Sequence, residues 1–308
     1  MTDRLRGTLE MTAAMVLSGT IGWFVVVSGQ PVMDVVFWRC VFGAATLLVV
    51  CAAMGLLRRD ILTLRQFMLS VIGGVAIVAN WLLLFAAYPR ASISIATVVY
   101  NTQPLMLVGL GALFFAERLT ATKLFWLGLA FAGMLLVVQA RPEAGPIGTD
   151  YLPGILMALG AAFFYAVAAI VAKKLKGVPP HLIALIQASV GAVMLAPLAN
   201  LAHLPAGAAN WTVQTWTILA ALGVVHTGLV YILLYGAIQK LPTNLTGSLS
   251  FIYPIVAIFV DLLAFGHQLQ LLQIAGAAAI LLAAAGMTLG WSPLRRQAAK
   301  AACAPAAE

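Results

Sequence analysis

Polar and aromatic side chains recur inside the apolar stretches of this chain, where hydrogen-bonding groups are rare. They carry hydroxyl, amide or imidazole groups, and they are Asn80, Tyr100, Asn101, Tyr165, His226, Tyr231, Ser250 and Tyr253. Such groups can hold a zwitterion by hydrogen bonds while aromatic rings stack on its side chain. For each residue the alternative role is a hydrogen bond to a neighbouring helix. As a set, they predict a binding site for a small amphiphilic substrate.

Arg39 and Asp261 are the charged residues that lie well inside apolar stretches. A charge inside a membrane is expensive and therefore indicates function, with Asp34 or Asp261 as the available partner of Arg39. Alternatively, Arg39 extends its guanidinium to the outer interface, because it lies only about 10 Å along the helix from Pro31. The sequence leaves both alternatives open.

Pro104 interrupts the uncharged run from Ile93 to Phe115 and directly follows Tyr100-Asn101-Thr102-Gln103. Proline removes a backbone donor and clashes with the preceding turn, so we expect the helix to bend there and the Tyr100 carbonyl to lose its partner. A freed carbonyl is tolerated only against other helices or a water-filled cavity. Pro254 lies in the same context later in the chain, and both prolines are predicted hinges.

The shared proline belongs to a repeat. Adding 150 to the numbering places Pro254 on Pro104, Lys240 on Arg90 and His267 on Glu117. Internal similarity at a long period indicates duplicated units. We therefore divide the chain into a first five-helix repeat (1–140), a short external linker (141–151), a second five-helix repeat (152–291) and a cytoplasmic tail (292–308).

Composition predicts the elements that position these residues. Of 308 residues, 63% are hydrophobic and 8% charged, and the mean hydropathy is +1.04. Soluble domains carry about 25% charged residues, so the chain is predicted to be an all-α membrane protein. Its ten apolar runs predict ten transmembrane helices, at approximately 9–28, 32–56, 66–88, 92–115, 121–140, 152–175, 181–202, 213–239, 243–265 and 270–291.

Lysine and arginine are unevenly distributed between the loops on the two sides. The N-terminus, the even-numbered loops and the tail hold most of them, whereas the opposite loops hold only Arg90 and Arg141. This asymmetry predicts that both termini are cytoplasmic, and it explains the net charge of +8 without nucleic acid. Because each half has an odd number of spans, the two repeats are predicted to be inverted, which is typical of transporters.

Sequence motifs for chemistry are missing. There is no His-Glu-x-x-His, P-loop or Gly-x-Ser-x-Gly motif, and the three cysteines lack the spacing of a metal site. We therefore predict no enzyme, no catalytic residue, no metal and no cofactor. The expected partners are a small-molecule substrate and the lipid bilayer, with neither nucleic acid nor an obligate protein partner. A channel is the main alternative, although no span carries a polar stripe along its whole length.

The sequence resembles the EamA-type transporters of the drug/metabolite transporter superfamily. The residues that carry the resemblance are Arg39, the Pro104 helix closed by Glu117-Arg118-Leu119-Thr120, Gly128, Gly133 and Pro254. His267 replaces the glutamate that many members repeat in the second half. The resemblance implies a multi-pass protein of the bacterial inner membrane. It also implies alternating access and export of amino acids, including aromatic ones, or of other metabolites or drugs.

Overall fold

The computed structural model describes residues 2–58, 61–91, 99–139, 151–199, 211–265 and 271–292, and all its regular elements there are helical. In chain order they are α1 (Asp3–Gly19), α2 (Ile21–Ser28), α3 (Val32–Ala53), α4 (Leu64–Ala91), α5 (Gln103–Phe115), α6 (Ala121–Gln139), α7 (Tyr151–Lys174), α8 (Pro180–Leu195), α9 (Val213–Ala221), the π-helical segment Leu222–Leu229, α10 (Val230–Lys240), α11 (Thr243–Ser250), α12 (Ile252–Phe265) and α13 (Leu271–Leu289). This confirms the all-α prediction.

Five of the helical stretches are long and apolar enough to cross a membrane, namely Asp3–Val25, Met33–Ala53, Leu64–Leu84, Leu152–Lys174 and Val213–Lys240. Four shorter apolar helices accompany them, at Gln103–Phe115, Ala121–Leu136, Pro180–Leu195 and Ile274–Met287. Large apolar side chains such as Leu263 and Val49 are exposed on the outer surface. Since lipid is the solvent that such a surface requires, the chain is a multi-pass membrane protein.

The structure corrects the expected bend at Pro104. Val99 and Tyr100 are helical, Asn101 and Thr102 form a turn, and α5 begins at Gln103. Pro104 therefore lies in the first turn of a new helix, where the backbone N–H groups have no intrahelical partner and proline costs least. The helix is interrupted before the proline rather than bent at it.

The second half has a matching interruption. Helix α11 ends at Ser250, Phe251 forms a turn, and α12 begins at Ile252. Phe251 is 150 positions after Asn101, so the offset found from the prolines also relates the two helix breaks. Pro254 and Asp261 belong to α12, but their side chains lie outside the described part of the structure. His267, the linker 141–150 and the tail from 293 onward also lie outside it.

Equivalent helices in the two halves make equivalent packing contacts. Helix α4 packs on α7, and its counterpart in the second half, α10, packs on α1. Likewise α3 packs on the π-helical segment, and the counterpart α8 packs on α4. The equivalent helices α6 and α13 pack on each other, as do α3 and α8, while α5 packs on α11, the helix that precedes its own counterpart α12. The contacts are those of a two-repeat architecture.

Close backbone approach joins α3 to the π-helical segment. A Cβ atom on Gly43 would lie 2.6 Å from Thr227 Cγ2, and one on Gly223 would lie 2.3 Å from Phe42 Cβ. Glycines at both positions allow the two helices to touch through backbone atoms. A π-helical turn inside a helix is frequent at functional sites. Sequence periodicity did not predict this segment.

Candidate functional site

Four tyrosines and one asparagine from both halves lie near one another, and we call Asn80, Tyr100, Tyr165, Tyr231 and Tyr253 the tyrosine cluster. The rings of Tyr100 and Tyr165 lie 6.4 Å apart in an edge-on arrangement. The Tyr100 hydroxyl is in electrostatic range of Tyr231 and Tyr253 and lies beside the Asn80 side chain. Five residues that the sequence singled out are therefore neighbours in space.

One polar atom of the Asn80 side chain has a hydrogen-bond partner, and the other has none among the described residues. Its Nδ2 donates to the backbone carbonyl of Ala161, on α7, at 2.7 Å. This contact is the helix-bridging hydrogen bond that was the alternative role for Asn80. Its Oδ1, however, is buried without a hydrogen-bond partner among the described residues. A buried acceptor without a partner is costly, so this atom is suited to accept a hydrogen bond from a ligand.

Tyr235 and Gln187 extend the tyrosine cluster, and sequence reasoning missed both. The Tyr235 ring lies 5.3 Å from that of Tyr231, and its hydroxyl donates to Gln187 Oε1 on α8. Gln187 is buried, and its Nε2 has no hydrogen-bond partner among the described residues. A glutamine at position 187 within an apolar run was the signal that could have revealed this pair.

Arg39 is buried in the interior, with 7% of its surface exposed. Its Nε donates to Thr227 Oγ1 at 3.1 Å, and its Cζ lies 4.8 Å from the centre of the Trp81 ring. The Trp81 ring in turn lies 6.4 Å from that of Tyr231. Arg39 therefore adjoins the tyrosine cluster, and these contacts bury its guanidinium among neighbouring helices.

His226 lies in the π-helical segment and bonds to another helical stretch. Its Nε2 is 2.8 Å from the Thr20 hydroxyl, and its ring packs edge-on against Phe24 at 4.9 Å. Its Nδ1 is buried without a partner among the described residues. Thr20 occupies the turn between α1 and α2, so His226 links that turn to the π-helical segment.

The remaining predicted residues lie near the two helix breaks. Asn101 is buried in the turn before α5. The Ser250 hydroxyl donates to the Thr246 carbonyl of its own helix at 2.9 Å. Tyr253 is 36% exposed, the most open member of the tyrosine cluster.

Glu117 lies after the end of α5 and connects it to two helices of the second half. Ala116, with φ of 52°, turns the chain after α5 and directs Glu117 towards α7 and α11. The carboxylate accepts hydrogen bonds from Lys173 Nζ at 2.7 Å, from the Thr243 hydroxyl at 2.6 Å and from the Thr243 backbone N–H at 3.0 Å. We call Glu117, Lys173 and Thr243 the latch.

Electrostatics at the latch favour the ionised carboxylate. Burial raises the pKa of Glu117, but the hydrogen bonds from Lys173 and Thr243, together with the Lys173 charge, outweigh it and hold the pKa below its ordinary value. Lys173 also donates to the Leu241 carbonyl at 2.9 Å, and the nearby Lys240 pairs with Glu10 at 2.6 Å. Both halves are thus tied together at the Glu117 end.

Among the described residues, no group of three or more His, Cys, Asp or Glu side chains could hold a metal ion. The site instead offers hydroxyl, amide and guanidinium groups among aromatic rings. Such groups can bind and orient a small polar molecule.

Curated transporters resemble this chain along most of its length. YxxF of Bacillus subtilis, an uncharacterised transporter, is 28% identical over 294 residues, which cover 94% of this chain and 90% of YxxF. An uncharacterised transporter of Archaeoglobus fulgidus is 26% identical, over 92% of this chain and 96% of its own. The threonine/homoserine exporter RhtA of Salmonella typhimurium is 27% identical, over 67% of this chain and 66% of the exporter.

A solved crystal structure shares the fold. It superposes with a TM-score of 0.81 at 21% sequence identity, and the match covers 94% of this chain and 98% of the other. The model of the EamA-like transporter family matches the sequence twice, at residues 5–139 and 152–289. Because these two matches cover most of the sequence, the chain belongs to the EamA-like transporter family of the drug/metabolite transporter superfamily, whose members are transporters and not enzymes.

Proposed function

We propose that this protein is a secondary transporter that exports small metabolites, amino acids first among them, by alternating access around the tyrosine cluster. The single observation that carries the proposal is the convergence of Asn80 and Tyr100 from one half with Tyr165, Tyr231 and Tyr253 from the other. Sites at the interface of two repeats, beside interrupted helices, are typical of secondary transporters. The relative RhtA is a threonine/homoserine exporter, which favours amino acids as the substrates.

The proposed substrate-binding residues are those that the sequence predicted. Asn80, Tyr100, Tyr165 and Tyr231 line the centre, Asn101, Ser250 and Tyr253 lie at the helix breaks, and His226 lies beside Arg39 in the π-helical region. Other metabolites or drugs of similar amphiphilic character are the alternative substrates of the same site. A channel differs from all of these because it would conduct without exchange.

The proposed topology has ten spans, inverted repeats and both termini in the cytoplasm of a bacterial inner membrane. Helices α1–α2 and α11–α12 each supply one span through two consecutive helices, and α9, the π-helical segment and α10 form another. The excess of Lys and Arg at the termini and on one set of loops supports the orientation. A C-terminal reporter that is active only outside the cytoplasm should be silent, and an active one would overturn this assignment.

The proposed orientation makes the Glu117 end cytoplasmic. The latch and the Lys240–Glu10 pair close that end in this structure. In an alternating-access cycle, the opposite end would then be the open one. Loading of an exported substrate from the cytoplasm requires the latch to separate.

Counterflow in proteoliposomes tests the function. Vesicles loaded with a panel of unlabelled amino acids should accumulate the matching labelled amino acid transiently, which a channel cannot produce. Alanine variants of Asn80, Tyr165 and Tyr231 should weaken apparent affinity by about 2- to 10-fold each, because each loses one hydrogen-bond partner.

Thr217→Ala is the matched control for these variants, because the Thr217 hydroxyl donates to the Val213 carbonyl on the exposed surface of α9. It should transport like the unmodified protein. Steady single-channel conductance without counterflow would replace the transporter proposal with a channel. Losses of affinity scattered over unrelated helices would show that the site is elsewhere.

A further inference from the structure

Arg39 carries a positive charge into the protein interior at a cost that packing does not explain. Its side chain is buried on α3, and both of its described contacts, with the Thr227 hydroxyl and the Trp81 ring, are with neutral groups. The ion pairs described for this chain join Glu10 to Arg6 and Lys240, and Glu117 to Lys173. None of these pairs includes Arg39. Among the described residues this buried cation has no ion-pair partner, so it is suited to bind an anionic group.

The two contacts also fix the orientation of the guanidinium. Thr227 holds the Nε edge at 3.1 Å, while Trp81 packs at 4.8 Å from Cζ. The described hydrogen bond therefore leaves the two terminal amino groups of the planar fork for another partner. That fork matches the geometry of a carboxylate, which it binds through two parallel hydrogen bonds.

Thr227 has two contacts of its own that fix its position. It lies in the π-helical segment, where its hydroxyl is 3.3 Å from the Leu222 carbonyl and its methyl group packs against Gly43. Donation to Leu222 leaves the oxygen lone pairs free to accept from Arg39. The π-helical turn and the glycine contact therefore present a hydroxyl whose position determines that of Nε.

The aromatic rings beside Arg39 belong to the proposed substrate site. Trp81 touches Tyr231, Tyr231 touches Tyr235, and the Tyr231 hydroxyl is in electrostatic range of Arg39. A ligand with its anionic group on Arg39 would extend its remaining atoms over these rings. Anion and apolar body would then be recognised by adjoining surfaces.

We infer that Arg39 and the Tyr231 hydroxyl form a carboxylate subsite, with Thr227 and Trp81 as positioning residues, and that the substrate therefore carries a free carboxylate. This inference rests on the proposed transport function and narrows it to a substrate class: amphiphilic amino acids or related carboxylates. Amines and amides of the same shape lack the group that Arg39 recognises.

Competition between an acid and its amide tests the subsite in the unmodified protein. Counterflow of labelled L-threonine or L-phenylalanine is measured against unlabelled acid and against the corresponding L-threoninamide or L-phenylalaninamide. The amide should compete about 10- to 100-fold more weakly, because it cannot form the charge-assisted pair of hydrogen bonds. Equal competition by acid and amide would overturn the inference without touching the transport function.

Variants test whether Arg39 is responsible for the preference for acid over amide. Arg39→Gln should compress the preference for acid over amide to about twofold or less, whereas a purely structural role would weaken acid and amide alike. Thr227→Val, which keeps the shape but removes the hydroxyl, should reduce the preference to an intermediate value. An undiminished preference in Arg39→Gln would exclude the subsite. If that variant does not fold, the competition in the unmodified protein decides.

Arg90→Gln is the matched control. Arg90 Nη1 donates to the Ala86 carbonyl of its own helix at 2.7 Å, outside the tyrosine cluster. It should keep the full acid preference, and loss of preference there as well would assign the effect to net charge rather than to the subsite. If no amino acid exchanges at all in the unmodified protein, the proposed function fails first.

Discussion

Glu117 joins three parts of the chain through its two carboxylate oxygens. It lies in the loop after α5, and its partners are Lys173 at the end of α7 and Thr243 at the start of α11. Separating this end of the protein would break an ion pair and two further hydrogen bonds. The latch is therefore a stabilising contact in the conformation described, and its loss should favour opening.

Glu117→Gln should lower stability by about 1 kcal/mol, because the amide loses the ion pair but keeps one acceptor oxygen. Arg6→Gln is the control, since the Arg6 side chain is 62% exposed and its pair with Glu10 lies on the surface of α1. Thermal unfolding in detergent measures both. Equal melting temperatures for Glu117→Gln and the unmodified protein would contradict the structural role.

The same residue makes stability depend on pH. Because the folded-state pKa of Glu117 lies below its ordinary value of 4.5, its contribution is fully present above pH 4.5 and disappears as pH falls through the lowered pKa. Melting temperatures measured from about pH 3 to pH 7 should therefore converge for Glu117→Gln and the unmodified protein at the acid end. A difference between the two that stays constant down to the lowest pH would contradict this linkage.

Helix breaks at equivalent positions are the main feature of the two halves. Proline at position 104 cannot donate a backbone hydrogen bond to the Tyr100 carbonyl, which weakens the helix across Asn101 and Thr102, where the structure has a turn. The Thr102 hydroxyl donates to the Val99 carbonyl at 2.7 Å and satisfies one of the freed groups. The turn is therefore stabilised in part by this side-chain hydrogen bond.

Pro104→Ala and Pro254→Ala should slow transport several-fold while changing stability less, because alanine restores a donor that lets the helix close across the break. Counterflow rates and melting temperatures of each variant measure the two effects. Pro180→Ala is the control, since Pro180 opens α8, where its missing donor has no partner to lose. If both alanine variants transport at the original rate, the prolines are not hinges.

Gly43 sets the distance between α3 and the π-helical segment. In Gly43→Ala the new methyl group would lie 2.6 Å from Thr227 Cγ2 and 3.2 Å from the Gly223 carbonyl oxygen, so one helix must move. We expect a loss of about 1–3 kcal/mol in stability. Gly128→Ala, whose Cβ would meet nothing within 4 Å, should be nearly neutral. Comparing the thermal unfolding of Gly43→Ala and Gly128→Ala distinguishes a steric clash at Gly43 from a general effect of replacing glycine by alanine.

Energy coupling is a property of the complete transporter, and we expect flux without a proton gradient. A proton-coupled carrier usually keeps a carboxylate at depth where proton and substrate compete. Asp261 is the one acid that the sequence places well inside a span, and its side chain is outside the described structure. His226 is the strongest counter-candidate, because its buried Nδ1 has no partner among the described residues.

Flux in proteoliposomes with and without an imposed pH step, at equal substrate gradient, measures this coupling. The initial rates should be the same, since export down a metabolite gradient needs no second ion. Uphill accumulation driven by the pH step, abolished in Asp261→Asn or His226→Gln, would show a coupled carrier. Thr217→Ala again serves as the control.

Several features of this protein follow from local sequence alone. A low charge content and long apolar runs require helices in lipid, because only helices satisfy their own backbone groups there. The shared context of Pro104 and Pro254 revealed a repeat whose offset of 150 also relates the two helix breaks, and the family model likewise matches the chain twice. The polar residues of the tyrosine cluster were recognisable because each is an exception within an apolar run.

Tertiary structure decided the contacts between distant positions. Glu117 and Thr243 are 126 residues apart, Arg39 and Thr227 188, and Thr20 and His226 206, and no local pattern indicates that they meet. The π-helical segment likewise depends on packing, since Gly43 admits Thr227 only when α3 is already in place. The local sequence shows which polar side chains must face away from lipid. Helix packing decides which of those side chains share a site, because a contact between two helices depends on how all the helices are arranged.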